Sequence, residues 1–252
     1  MSTRHREAGE FCWMNILTKQ PSDARAFFGG LLGWSYREMP GTKGHVIVVG
    51  GRDVGAIFDV DDPGSPPGTQ PMIGVMVRVE SADGTAERAR ALGGQARPPF
   101  DVFEAGRMAV LHDPAGAQLD AWQPRRLLGT DVDPSLHGAP CWAELMTPDP
   151  ERAIAFYTGL FGWTAHLVHE APIRYTIFRQ GTRDVGGLLQ GEAARWGTYF
   201  NVRDAAATVK QAVANGATLC MDLFDAPNIG RFTTLVSPHG VPFSIIQPPP
   251  GM

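Results

Sequence analysis

The sequence is poor in the features that define several large classes of protein. It has three cysteines among 252 residues, too few for a disulfide framework, and the two that stand beside tryptophan are expected to be small buried thiols. Its net charge is −4, and without a basic cluster interleaved with aromatic residues we expect no nucleic-acid partner. No apolar run approaches the ~20 residues that cross a bilayer, and the N-terminus lacks the apolar core of a signal peptide. We therefore expect a cytoplasmic globular protein without a membrane partner.

What the chain does contain is an internal repeat. Residues 12–34 (CWMNILTKQPSDARAFFGGLLGW) match residues 141–163 (CWAELMTPDPERAIAFYTGLFGW) without a gap. The repeat returns further on, where 106–124 (GRMAVLHDPAGAQLDAWQP) match 230–248 (GRFTTLVSPHGVPFSIIQP). A repeat of this length indicates two copies of one folding unit. We therefore predict two modules and the linker that joins them, at residues 1–124, 140–252 and 125–139.

Periodicity and capping signals predict the same elements in both modules. In the second module, 141–146 alternates between two faces, which is typical of a strand. Asp149 and Pro150 then supply an N-cap and a first helical residue, and Gly162 supplies the helix end. Each module is thus predicted to contain two strand-helix-strand-strand-strand units. The second-module strands after the first are expected near 163–168, 173–179, 184–189, 197–202, 217–222, 231–236 and 242–246.

This plan resembles the vicinal oxygen chelate superfamily, which includes glyoxalase I, the extradiol dioxygenases and the fosfomycin and bleomycin resistance proteins. The most specific marks are the segments 147–151 (TPDPE), 155–163 (AFYTGLFGW), 113–122 and 237–246, the last two opening with Asp/Ser-Pro-x-Gly. The doubled form looks like an actinobacterial group described as glyoxalase-like or hydroxylase-like. The resemblance implies an α+β fold of tandem modules, in which four βαβββ units form half-open barrels. Each concave face would hold a divalent metal or an apolar ligand.

The resemblance also implies three metal-ligand positions in each module, on its first, fifth and last strands. These positions hold Trp142, Gly197 and Ser244 in the second module and Trp13, Gly74 and Asp120 in the first. Only Asp120 can bind a metal, whereas a divalent metal needs three or more N, O or S donors in fixed geometry. We therefore predict no metal bound in the manner of the family, and no cofactor. A register shifted by a residue or two would offer Glu144, Asn15 or Asn201 instead.

Aromatic side chains are expected to replace the metal. Aromatic-lined clefts with a few polar groups bind flat organic molecules. Trp13 and Trp142 occupy the first-strand ligand position, and each shares its face with a polar residue, Asn15 or Glu144. Each of these aromatic residues could instead belong to the core of a small sheet. The candidate ligand-binding residues are Trp13, Asn15, Asp120, Trp122, Trp142, Tyr175, Trp196, Tyr199, Asn201 and Phe224.

Glu144 is the strongest candidate for chemistry. A carboxylate among aromatic residues costs free energy unless it is paired or hydrogen-bonded, and its pKa tends to rise. It could act as a general base, anchor a donor group of a ligand, or form an ion pair with Arg183 or Arg231. His239, in the turn Ser-Pro-His-Gly, is expected near the mouth of the second cavity and is the second catalytic candidate. No Ser-His-Asp arrangement, P-loop or dinucleotide fingerprint occurs.

Two kinds of function remain open. The first is a metal-free protein that binds a small aromatic metabolite or antibiotic, as the resemblance to bleomycin resistance proteins implies. The second is a lyase, isomerase or hydroxylase-type enzyme that acts on a small oxygenated substrate with Glu144 as acid or base. In a third interpretation, the first module is a degenerate half that supports the second. The expected partner is a small molecule, and a monomer and a homodimer both fit, because two modules in one chain can complete a paired arrangement.

Overall fold

The computed structural model describes residues 4–62, 69–168 and 174–249. Within these residues the chain forms two α+β modules of one design, each a curled, mixed sheet with two helices. The first module contains β1 (Phe11–Thr18), α1 (Pro21–Leu32), β2 (Ser35–Glu38), β3 (His45–Val49), β4 (Arg52–Asp59), β5 (Met72–Arg78), α2 (Ala82–Ala91), β6 (Gln95–Ala96), β7 (Phe100–Val102), β8 (Gly106–His112) and β9 (Gln118–Pro124). The second contains β10 (Pro140–Thr147), α3 (Pro150–Phe161), β11 (Thr164–Val168), β12 (Tyr175–Gln180), β13 (Arg183–Gln190), β14 (Arg195–Asn201), α4 (Ala205–Ala214), β15 (Thr218–Leu219), β16 (Phe224–Ala226), β17 (Gly230–Val236) and β18 (Pro242–Gln247).

The predicted order of elements holds in both modules, with one difference. The strand expected near 217–222 is reduced to β15, and β16 follows it as a second short strand; both pair with β17. The local signals act as predicted at α3. Asp149 accepts a hydrogen bond from the backbone N–H of Arg152, and Gly162 ends the helix in the left-handed conformation. No helix among the described residues is long and apolar enough to cross a membrane.

The strand order brings the first, fifth and last strands of each module side by side. The main path is β2-β3-β4-β1-β5-β9-β8-β6 in the first sheet, and the second sheet repeats it as β11-β12-β13-β10-β14-β18-β17-β15. Along β10, Ala143 and Leu145 are buried in a core with α3. Trp142 and Glu144 are half-buried and point to the opposite, concave face, because side chains alternate along a strand.

The two modules share their hydrophobic cores. One core joins α1 and β1 of the first module to β14, α4 and β18 of the second, and there the rings of Phe28 and Phe243 lie 5.2 Å apart. The other core joins α2 and β5 to α3 and β10. Each helix therefore buries part of its apolar face against the other module. We infer that the modules fold together, because neither one alone would cover its helices.

Two reciprocal hydrogen bonds hold the modules in register. Trp34 follows α1, and its Nε1–H donates to the carbonyl oxygen of Gly138 (2.7 Å), just before β10. Trp163 follows α3, and its Nε1–H donates to the carbonyl oxygen of Gly9 (2.8 Å), just before β1. Both glycines adopt a left-handed backbone, with φ of +86° at Gly9 and +79° at Gly138. Each module thus fixes the chain that enters the first strand of the other.

Gly138→Ala is expected to destabilise the protein much more than Gly162→Ala. A Cβ at Gly138 would lie 2.1 Å from the carbonyl oxygen of Leu32, whereas a Cβ at Gly162 would meet nothing within 4 Å. Both have positive φ, so the control isolates the steric clash from the conformational cost of about 1 kcal/mol. We expect Gly138→Ala to lower the free energy of unfolding by about 3 kcal/mol, measured by urea denaturation. Equal losses for the two variants would contradict the contact between modules.

Candidate functional site

A hydrogen-bonded network of four side chains lies on the concave face of the second module. Glu144 accepts a hydrogen bond from the Tyr175 hydroxyl through Oε2 and from the Tyr199 hydroxyl through Oε1, each at 2.9 Å. The Tyr175 hydroxyl accepts in turn from Nε1–H of Trp142, also at 2.9 Å. We call Trp142, Glu144, Tyr175 and Tyr199 the Glu144 network. It brings four of the residues predicted from the sequence into direct contact.

Strand register and one glycine make this network possible. Trp142 pairs with Tyr199 across β10 and β14, and Glu144 lies between Gly187 on β13 and Gly197 on β14. A Cβ at Gly187 would lie 1.8 Å from the Tyr175 hydroxyl and 3.0 Å from Nε1 of Trp142. The absence of a side chain at Gly187 therefore leaves the space in which the tyrosine and the tryptophan meet.

Burial and the neighbouring polar groups have opposite effects on the pKa of Glu144. Burial raises the pKa of Glu144, because removal from water disfavours the charged form. The two tyrosine hydroxyls and the nearby guanidinium of Arg195 oppose this rise without cancelling it. Burial and the neighbouring carboxylate also raise the pKa of Tyr175 and Tyr199 well above its usual value. Both phenols therefore remain protonated hydrogen-bond donors at neutral pH.

The predicted alternative of an ion pair between Glu144 and Arg183 or Arg231 is wrong. Arg183 lies 2.7 Å from Glu7 and 3.5 Å from Glu10, and Arg231 lies 2.7 Å from Asp225. These arginines are engaged elsewhere. Phenol hydroxyls, instead of a cation, satisfy both carboxylate oxygens of Glu144.

An aromatic path leads from the Glu144 network to the rim of the second module. The rings of Tyr199 and Phe232 lie 6.0 Å apart, and those of Phe232 and Phe224 lie 5.5 Å apart. Phe224 is 45% exposed and stands on the short edge strand β16. Beside this path, the hydroxyls of Ser244 and Thr234 hydrogen-bond to each other at 2.8 Å. The face thus combines flat apolar surfaces with a few polar groups, as small-molecule sites do.

The family's metal-ligand positions lie on adjacent strands, but their side chains do not fit a divalent metal. An indole nitrogen carries a proton and offers no lone pair, and Trp142 uses its N–H on Tyr175. Gly197 has no side chain, and Ser244 is hydrogen-bonded to Thr234. Within the described ranges, no group of three or more His, Cys, Asp or Glu side chains could hold a metal ion.

The concave face of the first module is filled by its own side chains. Trp13, Trp122 and Met76 are all buried in one apolar cluster there. The indole N–H of Trp122 donates to the carbonyl oxygen of Leu127 at 2.9 Å, so the chain that follows β9 covers this ring. Asn15 is half-buried and pairs with Ala56 and Gly74, as Glu144 pairs with the two glycines of the second module.

Asp120 is the buried carboxyl group of the first module. It is 4% exposed, and it accepts one hydrogen bond, at 3.1 Å, from the side-chain amide of Gln118. Burial raises its pKa to about 7. Its counterpart by register in the second module is Ser244, since Asp120 pairs with Met76 as Ser244 pairs with Tyr199. The two copies therefore carry their carboxyl groups on different strands.

The structure does not bring the remaining candidates to the Glu144 network. Trp196 lies in the helix-side core, where its Nε1–H donates to Tyr157 at 2.8 Å, because it is on the opposite face of β14 from Gly197 and Tyr199. Asn201, at the end of β14, is buried and donates to the carbonyl oxygen of Pro134. The prediction that Trp196 lines the cavity is wrong, whereas for Asn201 it stays a prediction.

His239 contacts the first module. Its ring lies 6.2 Å from that of Phe27 on α1, and its carbonyl oxygen accepts a hydrogen bond from Thr18. The turn before β18 packs against the first module, so His239 lies at the contact between modules. The described contacts of Glu144 do not include His239, so its role in proton transfer stays a prediction.

Sequence reasoning missed Gly187, Arg195 and Phe232. Comparison of the two copies could have found Gly187, because DVGA in the first module becomes DVGG in the second. Arg195 comes close to Glu144 only because β14 pairs with β10, where Arg195 is opposite Met146. No local signal in the sequence reports that pairing.

Comparisons with known proteins agree with the duplicated fold. The family model described as a glyoxalase-like domain matches residues 13–121 and again 142–246. The chain is 34% identical over 248 residues to "Putative glyoxylase CFP32" of Mycobacterium tuberculosis (strain CDC 1551 / Oshkosh), covering 94% of each chain. It is 29% identical over 265 residues to "Anthracycline biosynthesis protein DauV" of Streptomyces sp. (strain C5), covering 95% of this chain and 93% of that one. Its fold is similar to that of the Mn(II)-bound glyoxalase from Novosphingobium aromaticivorans, with a TM-score of 0.65, 13% identity, and coverage of 95% of this chain and 82% of that one.

Asp120→Asn is expected to change how stability depends on pH. The pKa of Asp120 is about 7 in the folded state, against 3.8 for a free side chain. Between these two pH values the native state keeps a proton that the unfolded chain loses. Its contribution to stability is therefore full below pH 4 and falls as pH rises towards 7. Asparagine is neutral and isosteric. The free energy of unfolding of the variant, relative to that of the wild type, should therefore increase as pH rises, by on the order of 4 kcal/mol in all. Urea denaturation between pH 4 and 8 measures this, and a difference that does not vary with pH would contradict the burial of this carboxyl group.

Proposed function

The chain belongs to the glyoxalase-like domain family, within the vicinal oxygen chelate superfamily, and from that membership we propose that it binds a small aromatic molecule on the concave face of its second module. The observation that carries the proposal is the Glu144 network itself. Two tyrosines and a tryptophan surround a carboxyl group beside the positions at which the resemblance to the superfamily implies metal ligands. Among the described residues no group of three or more His, Cys, Asp or Glu could hold a metal ion, and the site offers aromatic surface with one strong hydrogen-bond acceptor.

Accessibility favours the second module over the first. Trp142, Glu144 and Tyr175 are half-buried, so each retains surface that a ligand can contact. The matching face of the first module carries Trp13 and Met76 as buried core residues. This contrast supports the interpretation that the first module stabilises the pair while the second holds the ligand.

The polar groups indicate what the ligand carries. Glu144 accepts hydrogen bonds, so it suits a hydroxyl or amine of the ligand, which would compete with or add to the tyrosine donors. Arg195 is half-buried near Glu144 and suits a carbonyl oxygen or an anionic group. The relative DauV is named for anthracycline biosynthesis, and a planar hydroxyquinone would combine these features. The ligand class we propose is therefore a polycyclic aromatic metabolite or antibiotic with hydroxyl and keto groups.

Trp142→Leu is expected to weaken the binding of a planar hydroxyquinone about tenfold, since a lost aromatic contact costs about 1.4 kcal/mol. The probe is 1,4-dihydroxyanthraquinone, titrated against the full chain by fluorescence. The matched control is Trp13→Leu, the same change at the equivalent position of the first module, which should leave affinity unchanged once the variant is shown to be folded. Equal losses for the two variants, or no loss for Trp142→Leu, would remove the second-module site from consideration.

The raised pKa of Glu144 favours a second candidate function, a lyase or isomerase in which this group moves a proton. A half-buried carboxyl with a raised pKa is a stronger base when ionised than an exposed one.

The hemithioacetal of methylglyoxal and glutathione is the probe, because it is the substrate that the family name suggests. If Glu144 is the base, Glu144→Gln should lower kcat at least a hundredfold with little change in KM, and the wild-type rate should rise with pH through the pKa of this group. Full turnover by Glu144→Gln excludes that role, and no turnover by the wild type, together with hydroxyquinone binding, favours the binding protein.

A further inference from the structure

The pairing of the modules leaves a cavity of about 400 Å³ between their two shared cores. Met14 and Val54 of one core line it, and so do Val75 and Ala143 of the other. Val54 and its repeat equivalent, Val185, both line it. The cavity therefore lies at the junction of the two copies, where equivalent residues of both modules line one space.

This inter-module cavity is separate from the concave face of the second module. Glu144, Tyr175 and Tyr199 do not line it, and of the Glu144 network only Trp142 does. Its volume falls in the range of about 300 to 1,000 Å³ that is typical of small-molecule sites. The cavity is thus large enough to hold a ligand of its own.

Besides its apolar side chains and the charged groups at its edge, the cavity is lined by two buried threonines, Thr130 and Thr198. Thr198 stands where the first module has Val75, is 5% exposed and lines the cavity. A ligand in the cavity that accepts or donates a hydrogen bond would find a partner in this hydroxyl.

The charged groups at the edge of the cavity leave one cation without a carboxylate. Arg4 and Arg183 both pair with carboxylates, at 2.6 Å from Glu10 and 2.7 Å from Glu7. Arg6 is half-buried, and in the described part of the chain its guanidinium has no carboxylate within 4.0 Å. It donates instead to the carbonyl oxygen of Val132 at 3.3 Å, and burial lowers its pKa. Glu10, which also lines the cavity, and Asp131 act on Arg6 only from beyond ion-pair distance. A half-buried cation without a direct ion pair favours the binding of an anion.

We propose that the inter-module cavity is a second small-molecule site, which takes an apolar organic carboxylate. The anionic group pairs with Arg6, and the apolar body lies against Val54, Val75 and Val185. The hydroxyl of Thr198 provides a hydrogen bond along the wall. This site does not require the proposed function of the Glu144 network, because it uses different polar groups.

The test is a titration of the full chain, carrying 13C-labelled valine methyl groups, with 2-naphthoate and with its neutral counterpart 2-naphthamide. We expect 2-naphthoate to shift the methyl signals of Val54, Val75 and Val185 saturably and to bind at least tenfold more tightly than the amide. Val79 is the internal control, because it lines a neighbouring surface groove that Arg6 also borders. Location of the ligand in this way does not depend on the folding of any variant.

Three variants then test the chemistry. Arg6→Gln should abolish the preference for the carboxylate over the amide. Arg126→Gln removes the same charge at an exposed position and should preserve that preference. Glu144→Gln should leave 2-naphthoate affinity unchanged. Equal affinities for 2-naphthoate and 2-naphthamide, shifts confined to Val79, or loss of binding in Glu144→Gln would each overturn the proposal.

Discussion

The reciprocal bonds between tryptophans and glycines are the constraint on which the rest of the structure depends. Each indole N–H is buried, and a buried donor without an acceptor costs about 1 to 3 kcal/mol. Trp34 finds its acceptor at Gly138, and Trp163 finds its acceptor at Gly9, so each module satisfies the donor of the other. These glycines precede β10 and β1, the strands that carry the residues of both concave faces. The pairing of modules therefore fixes the chain that enters the first strand of each concave face.

The two copies have the same strand pairing but differ in the size of side chains at equivalent positions. Where the first module has Ala56, the second has Gly187, and the space released is occupied by the Tyr175 hydroxyl. Where the first module has Met76 in register with its tryptophan, the second has Tyr199, which adds a donor to Glu144. The same strand register thus gives a packed apolar cluster in one copy and a hydrogen-bonded network in the other.

The sequence was informative wherever the determining interactions are local. The caps of α3 at Asp149 and Gly162 involve residues a few positions apart, so their signals could be recognised directly. Strand alternation likewise placed Trp142 and Glu144 on one face. Sequence reasoning failed for Trp196, because no local signal shows which face of β14 meets the helix-side core. No local signal shows the contact of His239 with α1 of the other module either, because Phe27 lies 212 residues earlier.

Trp142 belongs both to the Glu144 network and to the lining of the inter-module cavity. Its Nε1–H donates to Tyr175, whose only proton is directed to Glu144, while the same indole forms part of the wall of the inter-module cavity. A displacement of this ring would therefore remove a hydrogen bond from the network and change the shape of the cavity together. Linkage between binding free energies is reciprocal. If a ligand in the cavity changes the affinity of the network for its ligand by some factor, the second ligand changes the affinity of the cavity by the same factor. The first module retains a tryptophan at this position, Trp13, but its ring is locked in a buried cluster with Met76 and Trp122. Of the two modules, the second alone combines a partly exposed tryptophan ring with a hydrogen bond to the carboxylate network.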